Sequence, residues 1–239
     1  MNIKAVFPGQ YLQGRGILNA LPELVQTFGN RGLILASPTA ATRILPAMAS
    51  EELRTGIPVE RFNGECCDSE IERVGSLIRS HRADILIAMG GGKVIDTAKI
   101  AANRANLPVI IVPTIASTDA PCSGCAVVYT CEGEFLRVDY QKRNPTVVLV
   151  DLDILVQSPV RFLVAGMGDA LATWFEARSC VQNGSPNECG GLSTRAGLYL
   201  SRLCFDTLLE FGLQAKLDNE NQVVTQAFSH IAEANILLS

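Results

Sequence analysis

An alternation of segment types constrains this chain more than any other feature. Up to residue 151, short runs rich in Val, Ile and Leu are separated by longer stretches of helical length and spacing. Parallel strands need long crossover connections, usually helices, so the pattern predicts a parallel sheet covered by helices. The predicted strands are GLILAS (32–37), PVERFNG (58–64), DILIAMG (84–90), PVIIVPT (108–114) and TVVLVD (146–151), with helices over 40–54, 69–82 and 93–105. CAVVYT and EFLRVD, separated by Cys131, Glu132 and Gly133, have the spacing of a β-hairpin inserted as a small flap. Beyond Val150 strand-like runs cease. Segments 159–180, 192–214 and 219–239 have helical patterning, and a Gly/Ser/Pro/Asn-rich stretch at 183–191 separates the first two. The expected architecture is a Rossmann-like, mostly parallel α/β domain over residues 1–151 with an inserted hairpin, then an incomplete all-helical domain over 152–239. Its last helix carries Ala227, Ile231, Ala234 and Leu238 on one stripe and lacks a stop signal, as a cut-off helix or an ordinary terminal one would.

Composition narrows the possible partners. With 239 residues and 48% hydrophobic content the chain can bury a sizeable core. A net charge of -4 without Lys/Arg runs gives no field to attract nucleic acid. The N-terminal MNIKAVFPGQYLQ lacks a signal-peptide apolar run, and the apolar runs elsewhere are too short to cross a bilayer. A cytoplasmic protein with no membrane partner is therefore expected. Its eight cysteines are expected to be reduced, because a core of this size needs no disulfide framework.

Strand DILIAM runs directly into Gly90-Gly91-Gly92-Lys93 and then the helix VIDTAKIAANRA. Residues without Cβ at a helix N-terminus let unpaired amides and the helix dipole approach a phosphate. The spacing fits neither standard fingerprint. A P-loop would need glycine at Ile87 and Ser or Thr at Val94, and G-x-G-x-x-G would need glycine at Ile95. A purely structural tight turn stands as the alternative. The next strand ends in Thr114-Ile115-Ala116-Ser117-Thr118-Asp119-Ala120-Pro121, which parallel topology brings to the same carboxyl edge, where open α/β sheets bind ligands.

Together, GGGKVIDTAK, PTIASTDAPCS and AGMGDALATWFEARSC resemble the glycerol dehydrogenases of the iron-containing (group III) alcohol dehydrogenase family. The resemblance extends over essentially the whole chain, from PGQYLQG to the LLEFG and EAN segments. It implies a dinucleotide-binding α/β domain followed by helices, with the active site between them. It implies that Gly91, Gly92 and Lys93 contact the pyrophosphate and that Thr114, Ser117, Ser123, Cys125 and Tyr129 line the nucleotide site. Asp119 would meet substrate hydroxyls, and Asp169 matches the carboxylate that binds the catalytic divalent metal, zinc or iron. The implied partners are NAD(H) and glycerol or another small polyol, in a homo-oligomer.

Two departures from the family pattern bear on function. An acidic residue commonly follows the first strand of the nucleotide fold and accepts from the adenosine ribose; here Ser37 follows GLILA, which weakens the expected NAD preference and admits NADP. The family completes its metal site with two histidines beyond the helix that corresponds to IAEANILLS, and His81 and His230 do not fall at those positions. A catalytic zinc normally keeps three protein ligands. The reading is a dehydrogenase homologue with a dinucleotide site and an incomplete metal site. Two alternatives are an active NAD-dependent polyol dehydrogenase, using replacement ligands or a complementing chain, and a non-catalytic assembly protein. Thr173 and Glu176 could share a helix face with Asp169, although a surface role for Glu176 is the plainer reading. The Cys122-x-x-Cys125 and Cys66-Cys67 pairs lack the spacing of a zinc ribbon.

Overall fold

A computed structural model describes residues 2–239. Strands β1 (Gln10–Gly14), β2 (Gly32–Ala36), β3 (Val59–Arg61), β4 (Ile85–Gly90), β5 (Val109–Pro113) and β8 (Val147–Asp151) form one parallel sheet in the order β1-β8-β5-β4-β2-β3. Strands β6 (Cys125–Tyr129) and β7 (Phe135–Tyr140) pair antiparallel in a separate hairpin. The helices are α1 (Leu21–Phe28), α2 (Leu45–Met48), α3 (Glu51–Gly56), α4 (Asp68–His81), α5 (Gly92–Ala105), α6 (Leu152–Leu155), α7 (Val160–Asn183), α8 (Arg195–Glu220) and α9 (Gln226–Glu233).

The sheet is covered on both sides, which explains why its inner strands read as unbroken apolar runs. Leu33, Leu35, Leu86, Ala88, Ile111 and Val148 face α4 and α5. Their alternates Ile34, Ala36, Ile87, Met89, Ile110 and Val112 face α1 to α3. This two-sided winding follows from handedness: β2 to β3 runs one way along the sheet, and β3 to β4 to β5 runs the other. The reversal between β2 and β4 makes a crevice at their carboxyl ends.

The core on the α4/α5 face continues without a break into Leu163, Ala170, Cys204, Phe228 and Ile231 of the later helices. Helix α7 ends at Gly184, whose φ of 60° favours glycine. Thr194 caps α8 and Thr225 caps α9, each accepting from an amide three residues on. The hairpin packs Ala126 and Val128 against Ile71 and Ile100. Among the described residues, no helix is long and apolar enough to cross a membrane.

Several expected boundaries move. QYLQG forms edge strand β1, which the polar residues at its ends disguise, and α1 follows it. The single helix expected over 40–54 is broken: a π turn (Ala40–Ile44) leads into α2, and Ser50 then caps α3 through the Leu53 amide. Segment 58–64 shortens to the three residues of β3. The helix expected from 219 begins only at Gln226, because α8 extends to Glu220 and a left-handed Gln222 interrupts the path. It closes in a π turn (Ala234–Leu238).

Candidate dinucleotide site

Gly90, Gly91 and Gly92 serve three different purposes, none of which is a left-handed φ. A Cβ on Gly90 would lie 2.7 Å from Val94 Cγ2 and 3.2 Å from Ser37 Cβ, so glycine here permits close packing of β4, β2 and α5. A Cβ on Gly91 would meet the tip of Ile115 at 2.8 Å. On Gly92 it would meet only Thr118 Cγ2, at 3.8 Å, so that stretch of backbone is open. Gly91 caps α5 with its carbonyl, which accepts from the Val94 and Ile95 amides. The preceding Gly92 and Lys93 amides have no acceptor among the described residues and stand at the positive end of the helix dipole. An anion is the natural occupant of such a place.

The two predicted motifs meet at this edge. The Thr114 amide donates to the Gly90 carbonyl at 3.0 Å, and the loop that follows brings Ile115 and Thr118 over the glycines. Thr114 is buried and Ser117 half-buried. Ser37 lies across β2 from Gly90, its amide bonded to the Met89 carbonyl at 2.9 Å. Its hydroxyl oxygen accepts from the Ala40 amide at 3.1 Å, which leaves the hydroxyl proton free to donate. The Ser37 hydroxyl therefore caps the next helical turn, at the carboxyl end of β2.

Lys93 is half exposed and pairs with Glu65 at 2.5 Å, with its ammonium 5.4 Å from the Tyr129 ring centroid. The Tyr129 amide donates to the Cys66 carbonyl at 2.8 Å, which fixes the hairpin to this flank. Ser123 and Cys125 lie deeper, gathered by a residue the spacing alone did not single out. Lys99, 2% exposed, donates to the carbonyls of Ala120 (2.9 Å) and Cys125 and to the Ser123 hydroxyl (3.2 Å), and pairs with Asp96 at 3.0 Å. Asp96 in turn accepts from the Val127 amide at 3.0 Å. This buried pair ties α5 to the loop after β5 and to β6. In sequence it is indistinguishable from a surface i,i+3 ion pair.

Asp119 is half-buried, and its carboxyl is held above the usual carboxylate range, first by desolvation and then by the charge of Asp169. Lys99 opposes that rise. The charge of Asp169, exposed on α7, is thus felt at Asp119 on the β5 loop. Asp119, Ser123, Cys125, Thr173 and Glu176 are among the residues that line a cleft of about 1140 Å³.

A tight junction sets this geometry. A Cβ on Gly166 would fall 2.1 Å from the Ala116 carbonyl oxygen and 2.5 Å from Asn235 Nδ2. Asn235, fully buried, donates to the carbonyls of Ala116 and Leu163, both at 3.0 Å. The β5 loop is thereby clamped to α7 one helical turn before Asp169. Neither Gly166 nor Asn235 carries a sequence signal beyond belonging to a motif.

The histidines lie elsewhere. His81 pairs with Glu60 at 2.8 Å at the end of α4, and His230 packs on Phe211 with ring centroids 4.9 Å apart. Cys122 is buried, and desolvation pushes its thiol up to about 12. Among the described residues, no three of His, Cys, Asp and Glu come together to hold a metal ion.

Comparison with known proteins agrees with the fold. The iron-containing alcohol dehydrogenase family matches residues 8–152. A glycerol dehydrogenase from Thermotoga maritima is 48% identical over 235 residues, 98% of this chain and 64% of its own length. The structure of a probable glycerol dehydrogenase from Sinorhizobium meliloti superposes with a TM-score of 0.91 at 40% identity, over 99% of this chain and 65% of that one. The sulfoacetaldehyde reductase of Bifidobacterium kashiwanohense, solved in complex with NAD+, shares the fold at 18% identity and a TM-score of 0.77, over 100% of this chain and 66% of that one. This chain spans 52–64% of the length of the curated glycerol dehydrogenases it matches. The match over the nucleotide-fold segment identifies the chain as a member of the iron-containing alcohol dehydrogenase family.

Proposed function

We propose that this polypeptide binds a nicotinamide dinucleotide at the β2/β4 crevice, as part of a glycerol dehydrogenase-type oxidoreductase. The observation that carries the reading is the pair of open amides at Gly92 and Lys93, beneath the polar loop after β5, at the point where strand order reverses. In this reading the pyrophosphate lies on those amides and displaces Glu65 from Lys93. Thr114, Ser117 and Tyr129 line the nucleotide, and the Ser123 and Cys125 backbone shapes its far wall. Ser37 donates to the adenosine ribose; with no carboxylate there to repel a 2′-phosphate, NADP is accepted alongside NAD. The division into a nucleotide-binding unit (1–151) and a helical unit (152–239) is part of the proposal, supported by Asp151, which ends β8 and caps α6 through the Asp153 amide.

The reaction of the glycerol dehydrogenases it resembles is oxidation of glycerol to dihydroxyacetone by NAD, assisted by a divalent metal that would supply Lewis acidity toward the alcohol oxygen. Asp119 would hold substrate hydroxyls, and Asp169 would be a metal ligand. The described side chains do not fit a catalytic metal, since a stable site needs about three ligands and, among the described residues, no three of His, Cys, Asp and Glu come together. We therefore expect the 239-residue polypeptide on its own to bind dinucleotide and to be inactive, or nearly so, as a dehydrogenase. Titration with NADH followed by fluorescence, with and without zinc, separates the two statements. Saturable binding should be independent of zinc, and Lys93→Ala should weaken it about tenfold, the value of one charge-assisted phosphate contact. Robust metal-dependent glycerol oxidation by the purified chain would overturn the expected inactivity; absence of NADH binding would overturn the site.

An assembly role is the second reading, favoured by a run of exposed apolar residues on α8: Leu203, Leu209, Leu213 and Leu217. A homo-oligomer is the expected form, and light scattering that reports a well-behaved monomer counts against it.

A further inference from the structure

The cysteines hold one arrangement that nucleotide binding does not use. Cys67 precedes the first turn of α4 as its N-cap residue, and Cys131 sits exposed in the turn between β6 and β7. They are 64 residues apart in sequence, yet their sulfurs are 3.4 Å apart. Among the described residues, no other two cysteine sulfurs contact each other in this way. The Ser69 hydroxyl lies beside both, 3.2 Å from Cys67 Sγ and 3.6 Å from Cys131 Sγ, and leaves the path between the sulfurs open.

The approach is built into the fold. The Tyr129 amide bonds to the Cys66 carbonyl at 2.8 Å, so the chain is already bridged one residue before Cys67 and two before Cys131. On the other side, the hairpin turn is exposed and β6 carries a register shift at Val128/Tyr129. A disulfide needs a sulfur separation of about 2.0 Å. The exposed turn can supply the remaining movement without disturbing either core.

We propose that Cys67 and Cys131 are a redox pair that closes into an intramolecular disulfide when the chain meets a low-molecular-weight disulfide, stapling the hairpin to the N-terminus of α4. Exposure divides the work between them. The Cys131 thiolate, reachable from solvent, attacks one sulfur of the small disulfide; its S–S bond breaks and the first small thiol leaves with a proton. The Cys67 thiolate then attacks Cys131 Sγ, the mixed disulfide breaks, and the second small thiol leaves with the other proton. Two protein thiols are oxidised and one small disulfide is reduced to two thiols. Burial alone would raise the Cys67 thiol, but hydrogen bonds from Ser69 and the Glu70 amide, and from Cys131 before it reacts, hold it below the ordinary thiol range; the first two do not depend on Cys131 and remain for the internal attack. Its neighbour Cys66 is the opposite case, fully buried and pushed up to about 12 by desolvation.

The test uses the full chain incubated with glutathione disulfide, followed by alkylation of free thiols and peptide mapping. The expected result is a Cys67–Cys131 linked peptide that reduced glutathione reopens, with the other six of the eight cysteines alkylated. Closing so long a loop should raise the thermal unfolding midpoint by several degrees. Cys131→Ser, at an exposed position that does not threaten folding, should lose both the link and the shift, while Cys189→Ser keeps both. Oxidation that spares this pair, or that links Cys67 to another cysteine, overturns the proposal. So does an equal midpoint shift in Cys131→Ser. None of these readouts depends on nucleotide binding.

Discussion

Gly166→Ala tests the junction beneath the site with opposite predictions from local and tertiary physics. On helix propensity alone, replacing a glycine inside α7 should stabilise the protein by about 1 kcal/mol. Packing argues the reverse. The new Cβ would sit 2.1 Å from the Ala116 carbonyl oxygen, which is backbone and cannot rotate away, and 2.5 Å from the buried Asn235 amide nitrogen. Relief requires α7 to move off the β5 loop, which costs about 3 kcal/mol, the upper part of the overpacking range. It also costs the two Asn235 hydrogen bonds to Ala116 and Leu163, about 1 kcal/mol each. Net of the propensity gain, the substitution should destabilise by roughly 4 kcal/mol. Urea unfolding followed by circular dichroism reads this as a fall in midpoint of roughly 1 M. Gly168→Ala, two residues along the same helix, is the internal control: its Cβ would have nothing within 4 Å, so it should stabilise by roughly 0.5–1 kcal/mol. Equal effects at the two positions, or a neutral Gly166→Ala, would refute the packing explanation.

Other perturbations follow from the same site. Lys99→Met leaves the Asp96 carboxylate buried without its cation and should cost roughly 3–5 kcal/mol in urea unfolding, with Asp96→Asn in the same chain recovering part of the loss. The raised Asp119 carboxyl is a cost to the folded state once it ionises: it favours folding below the ordinary carboxylate pKa and loses that contribution as pH rises through the folded value. Asp119→Asn should therefore raise the melting temperature at pH 7, with the advantage fading as pH falls toward about 4. A constant difference across that range would contradict the assignment. Ser37→Asp keeps an acceptor for the Ala40 amide and adds a charge at the ribose position. It should tighten NADH and weaken NADPH severalfold in fluorescence titrations, and parallel changes for both would place the ribose elsewhere.

The sequence revealed most where residues are buried on both sides of a layer. LILA, LIAM, VIIV and VVLV leave no choice but inner parallel strands, and the glycines and the Thr/Ser/Asp loop fall at one edge by topology. Elements whose identity depends on a neighbour were not legible. QYLQG becomes a strand only because Val147–Asp151 lies beside it, and the helix expected over 40–54 breaks because Ser50 finds a better partner in the Leu53 amide. The glycines were expected to let a phosphate approach, with a purely structural tight turn as the alternative; what the spacing did not show is that Gly90 and Gly91 are also held small by Val94, Ser37 and Ile115. Lys99 and Asp96 were invisible for the same reason, since spacing records which residues share a helix face and not whether that face meets water. Cys67 and Cys131 are joined by geometry alone, across 64 residues.

The clamp on the β5 loop also has a consequence in time. The Ala116 carbonyl is satisfied by a side chain 119 residues further along, while the strands and glycines around it are closed by contacts much nearer in sequence. Domains assemble largely in the order of synthesis, and contacts of long sequence separation form late. The phosphate edge of the crevice should therefore be shaped early, and the loop carrying Asp119 should reach its final position only when Asn235 arrives. A growing chain would acquire the means to hold a nucleotide before it acquires the means to aim a substrate at it.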